Sequence, residues 1–303
     1  MGYDCVVCVK QVPDTANITG EAMKEDGTVN RGALPAVFNP EDLNALEAAL
    51  AVRERHGGTV TTMTMGPLNA SEVLRECLYR GADRAILIND RRAAASDTLA
   101  TSYILNCAIR HLGRYDLVFC GRQAIDGDTA QVGPQLAEKL GIPQVTYFER
   151  FEELADRTAR ARRNVGNGWE VLEARLPLLL TVLDAANVPR PPGARKVMQH
   201  KRARTQDEVR RDVAAVMPDA DEDRLEAECE KRCAALKIKG LLIEQWDLDR
   251  IGGDLEWCGL TGSPTKVHRI QAIVLTKEGH TQVPPTEEGV RQMIHELIVD
   301  HTL

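Results

Sequence analysis

Leu117-Val118-Phe119-Cys120-Gly121-Arg122-Gln123-Ala124-Ile125-Asp126-Gly127-Asp128-Thr129-Ala130-Gln131-Val132-Gly133-Pro134 decides how this chain is read, because an apolar run gives way to a polar, glycine-bearing stretch that leads into a helical pattern. A strand that empties through a loop into a helix gathers unpaired backbone N–H groups and the positive end of a helix dipole, which suits a phosphate or pyrophosphate. Gly121 and Gly127 let the backbone approach a ligand or take positive φ, and Asp126, Asp128, Thr129 and Gln131 supply hydrogen-bonding groups. The same residues also read as an ordinary strand-to-helix turn with Asp128 as N-cap, and local physics alone leaves the two readings level.

Outward from this stretch, short apolar runs alternate with longer amphipathic ones. Val6 to Val9, Val60 to Met65, Ala85 to Ile88 and Leu117 to Cys120 read as buried strands. Asp42 to Arg55, Ala70 to Arg80, Asp97 to His111 and Asp128 to Leu140 carry helical spacing, with Asp97 and Asp128 placed to cap. The alternation predicts an α/β fold: a doubly wound, mostly parallel, Rossmann-like sheet with helices on both faces and a ligand crevice at the carboxyl ends of the strands.

From Gln144 to Asp184 the pattern turns β-rich, with Asn167-Gly168 as a hairpin turn and Leu178 to Leu183 as a further buried strand. Asn187 to Arg204 is rich in Pro and basic residues, whereas Gln206 to Glu230 is dominated by acidic ones; such charge blocks mark solvated segments. Asp219 and Glu222 have capping-box spacing ahead of a helix expected to reach about Lys237. Beyond Leu241 two short elements are expected, Ile270 to Leu275 and Glu287 to Asp300. The second has an apolar face (Val290, Ile294, Leu297, Ile298) suited either to another subunit or to its own domain. The expected division is a nucleotide-binding α/β domain over 1–205, then an acidic helical insert and an α-rich C-terminal arm over 206–303.

The 303 residues suffice for a sizeable core, and the net charge of −7 argues against a general nucleic-acid binder. With no apolar run long enough to span a bilayer and a strand pattern from the start, the expectation is a soluble, cytoplasmic chain without a signal peptide. The eight cysteines are scattered among apolar runs, which fits core thiols better than a disulfide framework. Cys5 and Cys8, three apart in a strand, should point to opposite faces. Cys229 and Cys233 share a helical stripe with Leu225 and Leu236, which favours packing over metal binding, with Cys258 the one further candidate ligand. No G-x-S-x-G, H-E-x-x-H, P-loop or G-x-G-x-x-G is present, so nothing marks a side-chain catalyst; a crevice of this kind without one suits a cofactor holder.

The string Cys120 to Pro134 resembles the nucleotide-binding signature of the electron-transfer flavoprotein β subunit. Val6-Val7-Cys8-Val9-Lys10-Gln11-Val12-Pro13-Asp14 resembles that family's opening segment, and Asn39-Pro40-Glu41-Asp42, Met65-Gly66-Pro67 and Gly81-Ala82-Asp83 follow in the same order. The resemblance covers about residues 3–205 and resumes at Gly262-Ser263-Pro264-Thr265-Lys266-Val267. Several spaced motifs in order weigh more than one glycine loop.

The resemblance implies a heterodimer in which an α subunit carries one FAD and the β subunit supplies an adenine-nucleotide site. In one branch that site holds AMP. In the electron-bifurcating branch it holds a second FAD, with hydride accepted from NADH and the electron pair divided between a high- and a low-potential acceptor; NADH oxidation then belongs to the complex. Carried onto matching positions, the nucleotide lies against Cys8, Val9, Lys10, Asn39, Pro40, Glu41, Asp42, Met65, Gly66 and the loop Gly121, Arg122, Gln123, Ala124, Ile125, Asp126, Gly127, Asp128, Thr129, Ala130, Gln131 and Val132. Asp97, Thr98 and Thr101 resemble the bifurcating branch's contacts to the ribityl chain and flavin. AMP-holding members show an acidic residue where this chain has Gly127 and an Asn where it has Ala130. Losing a negative charge and opening space both favour FAD over AMP. Asn187 to Met198 aligns with the loop that recognises partner dehydrogenases, with Ala194 in place of the usual leucine, which puts acyl-CoA dehydrogenase docking in doubt. The acidic insert from Gln206 to about Lys239 is longer than the family leads one to expect, as either a partner contact or a solvated helix. Two other classes compete. An adenylate-handling enzyme such as an ATP pyrophosphatase would want a Gly- and Ser-rich loop where Val9-Lys10-Gln11-Val12-Pro13 stands; a nucleotide-sensing module would hold a nucleotide without redox chemistry.

Overall fold

The computed structural model of the protein describes residues 2–14, 35–265 and 282–299. In chain order the first elements are β1 (Cys5–Cys8), β2 (Gln11–Pro13), β3 (Ala36–Phe38), α1 (Pro40–His56), β4 (Val60–Met65), α2 (Ser71–Arg80), β5 (Arg84–Ile88), α3 (Thr98–Leu112), β6 (Leu117–Gly121) and α4 (Val132–Leu140). They are followed by β7 (Gln144–Ala155), β8 (Thr158–Asn164), β9 (Trp169–Arg175), β10 (Leu178–Val182), α5 (Ala194–His200), β11 (Arg204–Thr205), α6 (Gln206–Val216), α7 (Glu222–Ile238), β12 (Leu242–Trp246), α8 (Gly259–Gly262) and α9 (Glu287–Val299).

Ten strands form one sheet in the order β11-β12-β5-β4-β1-β6-β10-β7-β8-β9, while β2 and β3 pair separately. Pairing is parallel from β11 through β7 and antiparallel across β7, β8 and β9. The central strands are apolar along their whole length because both faces are covered, and successive side chains go to opposite layers. Cys5, Val7, Leu117 and Phe119 join Leu46 and Leu50 of α1 and Leu74 and Leu78 of α2 in one layer. Val6, Cys8, Val118 and Cys120 join Ile104 and Ile109 of α3 and Leu136 and Leu140 of α4 in the other. Cys5 and Cys8 therefore face opposite layers, as their spacing requires.

The winding fixes where a ligand can sit. From β1 the chain steps outward to β4 and β5, then returns to lay β6 on the other side of β1. At that reversal the connections from β1 and β6 leave in opposite directions, opening a crevice at their carboxyl ends.

Three expectations need correction. The helix expected from Asp128 begins at Val132: Asp128 and Ala130 have φ of 55° and 53°, in the left-handed region no α-helix admits, and Gln131 occupies the cap position without a side-chain bond to the helix amides. The Asp219–Glu222 box is replaced by Asp221, which accepts the amide of Arg224 at 2.9 Å ahead of α7. A capping box does exist, but one helix earlier: Thr205 accepts the Glu208 amide at 3.2 Å, and Glu208 accepts that of Thr205 at 2.8 Å. Lastly, the segment after 205 returns to the sheet, since Glu244, Gln245 and Trp246 pair in parallel with Ile86, Leu87 and Ile88.

Other expectations hold. Asp97 caps α3, accepting the Ala100 amide at 2.9 Å. The β8–β9 turn closes over Asn167-Gly168, with the Val165 amide reaching the Gly168 carbonyl at 3.0 Å. Cys229, Cys233 and Leu236 pack against Val209, Val213 and Leu225 between α6 and α7, whereas Cys258 belongs to the α3/α4 layer. On α9, Val290, Ile294 and Ile298 are exposed. Ile270 to Leu275, Lys266, Val267 and Asp300 lie outside the described residues.

Candidate functional site

A cavity of about 350 Å³ opens at the reversal point. Its floor is the ends of β1, β4 and β6 (Cys8, Val9, Met63, Met65, Cys120), one wall is the start of α3 (Ser96, Asp97, Thr98, Thr101, Leu105), and the other is the loop from Gly121 to Gly133.

Three side chains at the start of α1 hold that loop from behind. Asn39 is fully buried; its Nδ2 donates to the Gln123 carbonyl at 2.8 Å and its Oδ1 accepts the Ile125 amide at 3.1 Å. With its side chain committed there, Asn39 leads α1 without capping it, and Pro40 sets the first helical φ instead. Glu41 accepts the Gln123 amide at 2.8 Å and pairs with Arg122 at 3.0 Å. Asp42 accepts the Lys10 amide at 2.8 Å and the Gly121 amide at 3.0 Å, so one carboxylate ties together the exits of β1 and β6. Burial pushes Asp42 up to about 7 against the pull of Asn39 and these two amides, and burial raises Glu41 as well. Gly121 is required by this closeness: a Cβ there would come within 2.8 Å of the Asp42 amide nitrogen.

Within the loop, Gln123 donates to Asp128 at 2.6 Å and Lys10 Nζ meets both oxygens of Asp126 at 2.8 Å. The positive φ expected of Gly121 or Gly127 falls on Asp128 and Ala130 instead. A Cβ on Gly127 would meet nothing within 4 Å, so neither packing nor φ demands glycine there. The amides of Thr129, Ala130 and Gln131 have no acceptor among the described residues, and those of Val132 and Gly133 open α4, where no helical acceptor exists. Five successive donors thus gather at the positive end of a helix. Pro134, which has no N–H, follows them.

On the opposite wall, Thr98 donates to Gln131 at 2.9 Å, joining the two helix starts across the cavity. Asp97 also binds the backbone and hydroxyl of Thr265 at 2.9 and 2.6 Å, which fastens the end of the 259–265 segment to α3. Burial acts to raise Asp97, but the bonds from Ala100, Thr265 and Leu99 outweigh it and leave the carboxyl below its ordinary value.

Of the residues singled out from sequence, Cys8, Val9, Lys10, Asp42, Met65, Asp97, Thr98, Thr101, Gly121 to Ala124 and Gly127 to Val132 line the cavity. Asn39, Glu41, Ile125 and Asp126 act behind or beside the loop, Pro40 sits at the helix start, and the Gly66 amide joins the β5 edge through the Ile88 carbonyl at 3.0 Å. Met63, Ser96 and Leu105 were not anticipated, and Cys120 and Gly133 stood in the signature string without being assigned to the site. Periodicity could have found two of them: Met63 is two before Met65 on a strand, and Leu105 continues the Thr98–Thr101 face of α3. None of Asn187 to Met198 lines the cavity; Arg190 fastens the start of that segment to Glu47 of α1 at 2.8 Å.

Residues 26–211 match the family described as Electron transfer flavoprotein domain. The chain is 38% identical over 296 residues to Electron transfer flavoprotein subunit beta of Clostridium acetobutylicum, covering 98% of each. It is 39% identical over 302 residues to Protein FixA of Bradyrhizobium diazoefficiens, covering 97% of this chain and 91% of that one. To Caffeyl-CoA reductase-Etf complex subunit CarD of Acetobacterium woodii it is 41% identical over 265 residues, covering 87% and 86%.

Proposed function

Because the chain belongs to the electron transfer flavoprotein family and is similar to its β subunits along nearly its whole length, we propose that it pairs with an α subunit and holds FAD in the cavity between α3 and the Gly121–Gly133 loop, as part of a complex that oxidises NADH and bifurcates the electrons. The observation that carries this reading is the run of unclaimed amides from Thr129 to Gly133, in residues that line a cavity shared with Thr98, Thr101 and Leu105. A diphosphate would take up these donors, and the rest of the larger ligand would lie along the wall of α3.

Ala130 supports the larger ligand. Left-handed φ costs alanine roughly 1 kcal/mol and suits asparagine better, so alanine there is conformationally the poorer choice and sterically the smaller one. Gly127 likewise removes atoms where nothing crowds them. The carboxylates around the site need not repel an anion, since Asp42 is held by two amides, Glu41 by Arg122, Asp97 by its cap and Asp126 by Lys10. Bound FAD would supply the redox chemistry, accepting a hydride as two electrons and releasing them singly. The chain's own residues bind the diphosphate, set the loop and keep its donors oriented. The partner oxidoreductase would be met through Asn187 to Met198, where Ala194 opens α5 in place of an anchoring leucine; one relative's name places it in a reductase complex.

Co-purification with the α subunit, nucleotide extraction and an NADH titration test this. Two FAD per heterodimer with rapid bleaching by NADH is expected; one FAD and one AMP would reassign the site to a structural nucleotide.

A further inference from the structure

Cys8 and Cys120 are register partners on the adjacent parallel strands β1 and β6. Both side chains enter the α3/α4 layer, both line the cavity, and they are 9% and 6% exposed. Partner residues on neighbouring strands lie about 4.8 Å apart, inside the Cα separation of about 4.4–6.8 Å that a disulfide spans. Each remaining thiol lacks one of these features: Cys5 and Cys77 sit in the opposite layer, and Cys107, Cys229, Cys233 and Cys258 do not reach the cavity.

We propose that Cys8 and Cys120 form a dithiol on the cavity floor which hydrogen peroxide oxidises to a disulfide when the cavity is empty, and which bound nucleotide shields. This rests on the cavity being the nucleotide site. The neighbouring Cys8 thiol and burial together raise Cys120 well above the ordinary thiol range, so Cys120 keeps its proton and Cys8 is the attacking sulfur. Having lost its proton, Cys8 sulfur attacks one peroxide oxygen; the O–O bond breaks, an S–O bond forms, and the departing hydroxide takes up that proton as water. Cys120 sulfur then attacks the sulfenic sulfur, the S–S bond forms as S–O breaks, and the second hydroxide leaves with the Cys120 proton. Two thiols and one peroxide give a disulfide and two waters, the sulfurs supplying both electrons.

The test uses the heterodimer, stripped of nucleotide or replete, treated with hydrogen peroxide and mapped as peptides without reduction. The stripped protein is expected to yield a Cys8–Cys120 linked peptide that dithiothreitol reverses. Nucleotide at about ten times its Kd should slow the linkage about tenfold, in proportion to the fraction of empty sites. Cys8→Ser and Cys120→Ser should each abolish the link, and Cys120→Ser should leave Cys8 as a trappable sulfenic acid while Cys8→Ser leaves Cys120 a thiol. Absence of the link while the half-buried Cys229 or Cys233 oxidises overturns the proposal, as does a link forming equally fast in protein that equilibrium dialysis shows to be nucleotide-bound. Failure of any nucleotide to bind the stripped heterodimer overturns the site assignment instead, and the peptide map reads the same whether the bound nucleotide is FAD or AMP.

Discussion

Replacing Asn39 should loosen the loop from Gly121 to Gly133 more than its distance from the cavity suggests. Its side chain makes two bonds to the loop backbone, at 2.8 Å to the Gln123 carbonyl and 3.1 Å from the Ile125 amide, from a fully buried position. Asn39→Ala removes both and strands two main-chain groups. Each costs about 1 kcal/mol if water reaches it and up to about 3 kcal/mol if not, and since Gln123 and Ile125 are only half-buried, roughly 2–4 kcal/mol in total is expected. If about 2 kcal/mol of this must be recovered when the loop orders around nucleotide, Kd rises roughly thirtyfold. Asn39→Asp keeps the size and the Ile125 acceptor but sets a carboxylate against the Gln123 carbonyl beside Asp42. Burial raises such a carboxyl in the folded state, so its contribution is complete below an unfolded value of about 3.9 and is lost as pH rises through the folded one. Asn39→Asp should therefore recover on acidification, when the protonated group can donate to Gln123, and Asn39→Ala should not. Calorimetric titration with nucleotide, alongside urea unfolding and amide exchange at Ile125, reads all three effects. A folded Asn39→Ala protein with Kd within about threefold of the parent and unchanged exchange at Ile125 would refute the reasoning.

Asp42, held near pH 7 by burial, contributes stability that is complete below an unfolded value of about 3.9 and is lost as pH rises through about 7. Urea midpoints should decline as pH rises from about 4 to about 7 and level off above it, and Asp42→Asn should flatten that dependence. Gly121→Ala drives a Cβ to 2.8 Å from both the Asp42 nitrogen and the Glu41 carbonyl carbon, at a cost of about 3 kcal/mol, whereas Gly127→Ala meets nothing and should stay within about 0.5 kcal/mol by the same denaturation assay. Ala130→Gly should gain up to about 1 kcal/mol by relieving the left-handed alanine, while Ala130→Asn should be tolerated by the backbone yet lower FAD retention, measured after gel filtration.

The parts of the fold that could be read from sequence were those with a local cause. β4 runs from Val60 to Met65 as expected, because a short apolar run between turn residues has few other uses, and Asp97 caps α3 because its carboxylate sits one residue ahead of the periodic face. β12 was missed since Leu242-Ile243-Glu244-Gln245-Trp246 mixes charge into its pattern; it becomes a strand because the β5 edge is open beside it, a tertiary cause. The start of α4 was misplaced because Asp128 and Ala130 carry no outward sign of left-handed backbone, which glycine would have given. In the site, the Gly121–Gly133 loop was legible from its glycines and polar groups, but the pairing of Cys120 with Cys8 was not, as it depends on strand register that no local pattern encodes.

The division of labour at the start of α1 bears on what the cavity selects. Asn39, Glu41 and Asp42 would ordinarily favour the positive end of their own helix, yet each is turned onto backbone groups of Lys10 or of the loop from Gly121 to Ile125. The ordering cost of the loop is thereby met in the folded protein, and the surface left for an anion is main-chain amide from Thr129 onward. Main-chain donors recognise a phosphate without reading what is attached to it. On the proposed reading, discrimination between nucleotides comes from shape: the room left at Gly127 and Ala130, and the wall formed by Thr98, Thr101 and Leu105. A site built this way can change its nucleotide through small substitutions on the loop while the buried framework behind it stays fixed, so exchanging Ala130 should alter ligand choice and exchanging Asp42 should alter whether any ligand binds.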